Sequence, residues 1–366
     1  MPEKKAEGNF TFKNILPFLS INFTNGKTVE AYVKGKVVAM NSYAPEGTLI
    51  STPKNYEYIS SREGLARALE RQVILEAPVL LCDHRMNLHV ELCAEIRGII
   101  PKDEAQFLRE GEKIKDIAIL TRVGKTVCFK VIGFERNEYG ELTAILSRRA
   151  AQKECYNNYI SSLIPGDIIP AKVTHLENFG AFVDIGCGII SLLSIDSISV
   201  SRISHPSARL SIGDLFYTVV KETDERGRVF VSERELLGTW EENAACFREG
   251  ETVRGIIRSI ENYGIFVELK PNLAGLAEYR DDVSVGELAA VYIKSIIPEK
   301  MKVKLIIISS EDSQIAYSAP EYYIDVETTS HIDSWRYSPS CSQRVIETVF
   351  TEESGSAQRE QNNACI

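Results

Sequence analysis

No stretch of this 366-residue chain stays apolar for the roughly 18 residues that a membrane-crossing helix needs. The opening residues, Met-Pro-Glu-Lys-Lys-Ala-Glu-Gly, put no apolar segment after their charges, so no secretory signal is expected. None of the eight cysteines falls in a Cys-x-x-Cys pair, which argues against a zinc ribbon or a dithiol redox centre. Free thiols in a reducing cytoplasm are the expectation. There is no Walker loop, zinc signature or nucleophile elbow. Gly186-x-Gly188 joins two strands and opens no helix, so it is not a dinucleotide fingerprint. His175 and His205 have no metal-ligating partners at useful spacing and read as surface or turn residues, while His84 and His89 alternate with Met86 and Leu88 as in a strand. No catalytic residue, cofactor or metal is therefore expected, and the chain reads as a non-enzyme. Positive charge is also missing. The net charge is −9, and residues 311–366 hold three Lys and Arg against ten Asp and Glu. The rest of the chain is near neutral, so binding to nucleic acid needs a local basic groove and stacking.

What the chain does have is a repeat. Residues 178–185 read Asn-Phe-Gly-Ala-Phe-Val-Asp-Ile, and 84 positions later residues 262–269 read Asn-Tyr-Gly-Ile-Phe-Val-Glu-Leu. Each follows a Gly-acid pair, Gly166-Asp167 and Gly250-Glu251, by the same interval. Alternation puts Phe182 and Asp184 on one face of a strand, with Ala181, Val183 and Ile185 facing a core. Phe179 has the wrong parity, and Gly180 is expected to bend the strand so that both rings share the outer face.

Around the first copy, five short strands are predicted: 167–176, 180–185, 189–193, 215–222 and 228–232, with a turn at Asp224-Glu225-Arg226-Gly227. The second copy repeats the order. A weaker third copy lies upstream, where His89-Val90-Glu91-Leu92 takes the place of the second strand. Ser60-Ser61-Arg62-Glu63 is a capping box for a helix leading into it. The predicted fold class is mainly β: three tandem five-stranded OB-type barrels, the first degenerate, joined by short helical linkers. The domains expected are an N-terminal extension of unassigned fold (1–63, with a hairpin near 26–40), a degenerate repeat (64–150), two RNA-binding repeats (165–237 and 249–310) and an acidic tail (311–366). The tail is expected to be disordered, with Val345–Phe350 a candidate docking strand.

At these residues the chain resembles the S-one RNA-binding domain, the repeat of the largest small-subunit ribosomal protein of bacteria. The likeness covers about residues 65–310 and is strongest over 165–235. The resemblance implies a fixed surface for single-stranded RNA, built from two aromatics, a His, an Asp and an Arg. In the middle copy these fall on Phe179, Phe182, Ser194, Asp224 and Arg228, with Ser194 replacing the His. In the last copy they fall on Tyr263, Phe266, Glu278, Pro298 and Lys302. In the first they fall on Met86, His89, Pro101, Glu135 and Glu141, which make no platform. Lys172, Arg202, Arg254 and Arg258 are further candidates to track phosphates.

The expected function is non-enzymatic binding of single-stranded RNA, mRNA in particular, in cytoplasmic translation. The small ribosomal subunit is the expected partner, and no membrane is involved. An alternative is a protein-contact adaptor or regulatory factor with vestigial RNA binding. A nuclease is disfavoured, because residues 1–63 are too short for a catalytic domain and show no paired carboxylates. The sequence does not fix the oligomeric state.

Overall fold

The computed structural model describes residues 30–33, 36–39, 43–92, 96–109, 111–136, 140–312 and 321–350. Strands β1 (Glu30–Val33) and β2 (Lys36–Ala39) pair as an antiparallel hairpin. Two helices follow. α1 (Pro53–Ile59) is capped by Thr52, and α2 (Arg62–Arg71) by Ser61, whose hydroxyl accepts from the Gly64 N–H.

Three closed five-stranded barrels come next. The first contains β3 (Leu75–Cys82), β4 (Leu88–Val90), β5 (Arg97–Ile100), β6 (Thr126–Arg136) and β7 (Leu142–Ser147), with the short helix α3 (Asp116–Leu120) between β5 and β6. Helix α4 (Arg148–Asn158) leads to the second barrel: β8 (Ile168–Glu177), β9 (Gly180–Asp184), β10 (Ile190–Ser194), the single turn α5 (Ile195–Ile198), β11 (Leu215–Thr223) and β12 (Val229–Ser232). Helix α6 (Trp240–Ala244) precedes the third: β13 (Thr252–Glu261), β14 (Gly264–Lys270), β15 (Leu273–Ala277), β16 (Leu288–Ile297) and β17 (Lys302–Glu311). In each, the third strand pairs parallel with the fifth and closes the barrel. This is the mainly β, tandem OB-type architecture that the sequence predicts.

Alternation builds the cores. Val173, Ala181, Val183, Leu193, Phe216 and Val231 fill the second barrel, and Ile257, Ile265, Val267, Val291 and Leu305 the third. Each barrel carries a bulge in its first strand: Val79/Leu81, Val173/His175 and Ile257/Ser259. The bulge reverses which side chains face outward at the end of that strand nearest the second. The linker over 233–247 is not one helix. Gly238, at φ +82, breaks it, and a Cβ there would lie 2.5 Å from the Tyr323 ring.

Residues 321–350 correct the expectation of a disordered tail. β18 (Ser334–Arg336) pairs with β19 (Glu347–Val349), and Trp335 and Tyr337 join the third core beside Trp240. Val326 and Phe350 join the second core. Acidic, Ser/Thr-rich composition hides these few apolar anchors, which add to surfaces already folded and so offset the cost of ordering. Residues 351–366 lie outside the described residues.

The N-terminal extension seals the seam between the first two barrels. Glu46 is buried and binds Arg148 of α4 through both oxygens, at 2.7 and 3.0 Å. Its N–H donates to Asp184 at 2.7 Å, and it accepts from the Cys128 N–H at 3.0 Å. Glu76 accepts from the N–H groups of Gly47, Leu49 and Ile50 at 2.9–3.0 Å. Burial opposes the charge on Glu46, yet Arg148 holds it below the ordinary carboxylate range. Burial, with Glu46 nearby, pushes Glu76 up to about 8 and Asp184 up to about 6.

Candidate nucleic-acid interface

Phe179 sits in the two-residue turn between β8 and β9, not in a strand, so strand parity does not constrain it. It is 54% exposed and meets Phe182 edge to face, with centroids 6.0 Å apart and planes at 87°. Tyr263, 70% exposed, occupies the same turn in the third barrel and meets Phe266 at 6.1 Å and 87°. The glycine between the rings is required by close packing. A Cβ on Gly180 would stand 2.3 Å from the Leu193 carbonyl, and one on Gly264 2.5 Å from that of Ala277. The two copies thus set the same pair of rings at the same angle on the same barrel edge, the first ring exposed and the second half-buried.

The outward row through the second aromatic differs among barrels. In the second it runs His175, Phe182, Leu192, Phe230 across four strands. His175 stacks on Phe182 at 6.4 Å and 20°, and its Nε2 lies 2.9 Å from Glu177. In the third barrel the row is Ser259, Phe266, Leu276, Lys304. In the first it is Leu81, His89, Ile99, Ile145, with neither a ring pair nor a cation.

Asp224 and Arg228 close the β11–β12 turn. The Asp224 carboxylate accepts from the N–H groups of Arg226 and Arg228 at 2.9 and 2.8 Å and from Arg228 Nε at 2.8 Å. Partial burial works against its charge, but these bonds hold it below the ordinary range. Asp224 thereby orients Arg228, which stands on the Phe230 face two residues earlier and is half-exposed. Ser194 faces Gly180 at the end of β10 and donates to the Ser197 hydroxyl at 2.8 Å. In the third barrel, Lys302 opens β17 and is exposed, opposite Ile297.

Other sequence candidates fall elsewhere. Lys172 is turned into the seam, where its ammonium donates to the Glu46 carbonyl at 2.8 Å. Arg254 pairs with Ala290, five residues before Ser259, and so lies about 16 Å from the aromatic row along β13. Arg258 is held by Glu268 through both oxygens, at 2.8 and 3.2 Å. Conversely, His175, Phe230 and Lys304 stand in the rows without having been singled out for binding. Phe230 was legible, flanked as it is by the apolar pair Val229 and Val231; His175 was legible only as a surface residue, and the bulge after Val173 is what brings it beside Phe182.

The acid at the seventh position of each repeated octapeptide faces outward but is buried by a neighbour. Asp184 accepts from Glu46, Gly186 and Gly188 N–H groups at 2.7–2.9 Å. Glu268 holds Arg258 and also Arg209 of the second barrel's long connection, the latter at 3.0 and 2.6 Å. No cluster of three or more metal-ligating side chains occurs among the described residues, and no helix there is long and apolar enough to cross a membrane.

The chain is similar to known proteins along much of its length. Residues 162–234, which enclose the second barrel, match the profile of the S1 RNA binding domain. The chain is 29% identical over 304 residues to small ribosomal subunit protein bS1 of Staphylococcus aureus, covering 80% of this chain and 72% of that one. It is 28% identical over the same length to bS1 of Staphylococcus haemolyticus, with the same coverage. A crystallised multidomain protein with nucleic acid binding domains from Streptococcus pneumoniae aligns at 15% identity and a TM-score of 0.22, over 64% of this chain and 73% of that one. The resemblance read from the residues is thus borne out. None of these names is that of an enzyme, in line with the non-enzymatic reading.

Proposed function

We propose that this chain holds single-stranded RNA, mRNA in particular, on the aromatic faces of its second and third barrels, and works in cytoplasmic translation at the small ribosomal subunit. One observation carries the reading: an edge-to-face ring pair whose first ring is exposed recurs in both barrels at the same angle and spacing, 6.0 and 6.1 Å at 87°. Rings needed only for the core would be covered. Stacking one base on an aromatic is worth about 1–3 kcal/mol and tolerates any base. Arg228, held out by Asp224, meets the phosphates in the second barrel, and Lys302 and Lys304 do so in the third. Ser194 lies beside the turn that carries Phe179 and offers a hydroxyl to ribose. Two weak sites on one chain raise each other's effective concentration, so neither barrel needs high affinity alone. The family profile and the ribosomal relatives support the same reading.

The functional units proposed are the second and third barrels, within 165–237 and 249–310. The first barrel, within 64–150, is assigned to protein contact, because its equivalent row is the aliphatic Leu81, Ile99 and Ile145.

The test is Phe179→Ala combined with Phe182→Ala, read by fluorescence anisotropy of a labelled single-stranded RNA at low salt. The affinity is expected to fall at least about tenfold, with Tm shifted by no more than about 2 °C. Unchanged affinity, or a large drop in Tm that shows the rings to be core, overturns the reading.

A further inference from the structure

Phe266 is half-buried. It lines a groove of about 540 Å³, within the roughly 300–1,000 Å³ range of ligand sites. One wall is the β16–β17 turn, with Glu299, Lys300 and Lys302. The loop between β18 and β19 also lines it and brings Arg344. Lys300, Lys302 and Arg344 are exposed and take part in no ion pair among the described residues.

The loop that carries Arg344 is fixed. Tyr337 is buried, its hydroxyl donates to the Asn272 carbonyl at 2.7 Å, and its own carbonyl accepts from the Trp240 N–H at 3.0 Å. The Ile346 N–H donates to Ser338 at 3.0 Å, and Ser342 and Arg344 exchange bonds at 3.1 and 3.2 Å. A cation on a fixed loop and two lysines, lining one groove that contains an aromatic ring, match one ligand chemistry: a nucleotide with a flat base and flanking phosphodiesters. The groove carries three cations against one acid.

We propose that the C-terminal hairpin completes the third barrel's RNA site by supplying Arg344 as a phosphate-binding residue in the groove lined by Lys300 and Lys302, with the base against Phe266. This rests on the RNA-binding reading of that barrel and adds to it a residue from outside the barrel. It also accounts for an ordered, Arg-bearing loop within an otherwise acidic segment.

The test uses the full chain with Phe179→Ala and Phe182→Ala in place, so that the third barrel dominates, and a labelled oligouridylate as probe. Arg344→Ala is expected to weaken binding about three- to tenfold and to reduce the slope of log K against log salt by about 0.7, the value for one phosphate contact on a single strand. Tm stays unchanged because the side chain is exposed, and Arg344→Lys restores part of the affinity. If Phe266→Ala weakens binding while Arg344→Ala changes neither affinity nor salt slope, the hairpin's role is refuted and the platform stands. If neither substitution matters, the third barrel's RNA reading fails and takes the proposal with it. Polyglutamate that displaces the RNA, with the displacement lost in Arg344→Ala, would make the groove an acidic-peptide site and overturn the assignment.

Discussion

Replacing Glu268 with alanine should uncouple the second barrel from the third. The carboxylate is 4% exposed and receives four N–H groups, two from Arg209 of the second barrel and two from Arg258 of the third. Its removal leaves two guanidinium groups facing each other out of water. Breaking a buried pair from one side costs about 3–5 kcal/mol, because the remaining charge is stranded. For a unit of some 150 residues, about 4 kcal/mol corresponds to a fall of roughly 8–16 °C in Tm. Urea unfolding followed by tryptophan fluorescence is a direct assay, since the chain's two tryptophans, Trp240 and Trp335, both lie in the third core. The urea midpoint should drop and the third barrel should unfold separately. Arg209→Met, Glu268→Leu and Arg258→Met combined should recover most of the loss, because an apolar set of similar volume replaces the ions without their desolvation. A loss below about 1 kcal/mol would place this triad with exposed surface bridges and refute the argument.

Three further outcomes are expected. Glu76 and Asp184 hold protons more tightly folded, at about 8 and about 6, than at their ordinary 4.5 and 3.8. The unfolded chain then releases these protons first, so stability falls as pH rises through roughly 4–8. A Tm that declines between pH 5 and 8.5, with a flatter profile in Glu76→Gln, is the prediction, and a rising Tm contradicts it. Trp335→Ala should cost about 3–5 kcal/mol in urea titration, as for any buried aromatic; a negligible change would mean that the C-terminal hairpin is not part of the third core. Gly180→Ala should cost about 1–3 kcal/mol by pushing β10 away from the Phe179 turn, and wild-type stability in this variant would show that the turn has room to give.

The barrels were legible because their strands alternate and because two glycine-centred turns repeat at a fixed spacing. Local pattern places β8 to β12 to within a residue or two. It fails where tertiary contacts decide. Lys172 reads as one more strand cation, and only the Glu46 segment, which is 126 residues away in sequence, turns it into a seam. His175 reads as a surface residue, as it is, but its place beside Phe182 follows only from the bulge. Trp335 and Tyr337 are too sparse to predict order, since each anchors on a surface built by residues far upstream, whereas Val345–Phe350 was legible as a docking strand and contains β19. Arg344 has no sequence signal at all, because its place in the groove lined by Lys300 and Lys302 comes from the docked hairpin.

The repeated octapeptide serves two ends on one strand face. Phe182 and Asp184 are two residues apart, about 7 Å, and point the same way. The ring is left half-buried and the carboxylate is covered by the segment that precedes the barrel. Phe266 and Glu268 repeat the division, with Arg209 of the preceding barrel as the cover. A platform placed one pleat from a buried joint cannot turn independently of its neighbour, so the two ring pairs are held in a fixed relation and do not swing on a flexible tether. In the first barrel, His89 replaces the ring and Glu91 stays exposed. Platform and joint are absent there together, so the second strand of the first barrel serves neither end.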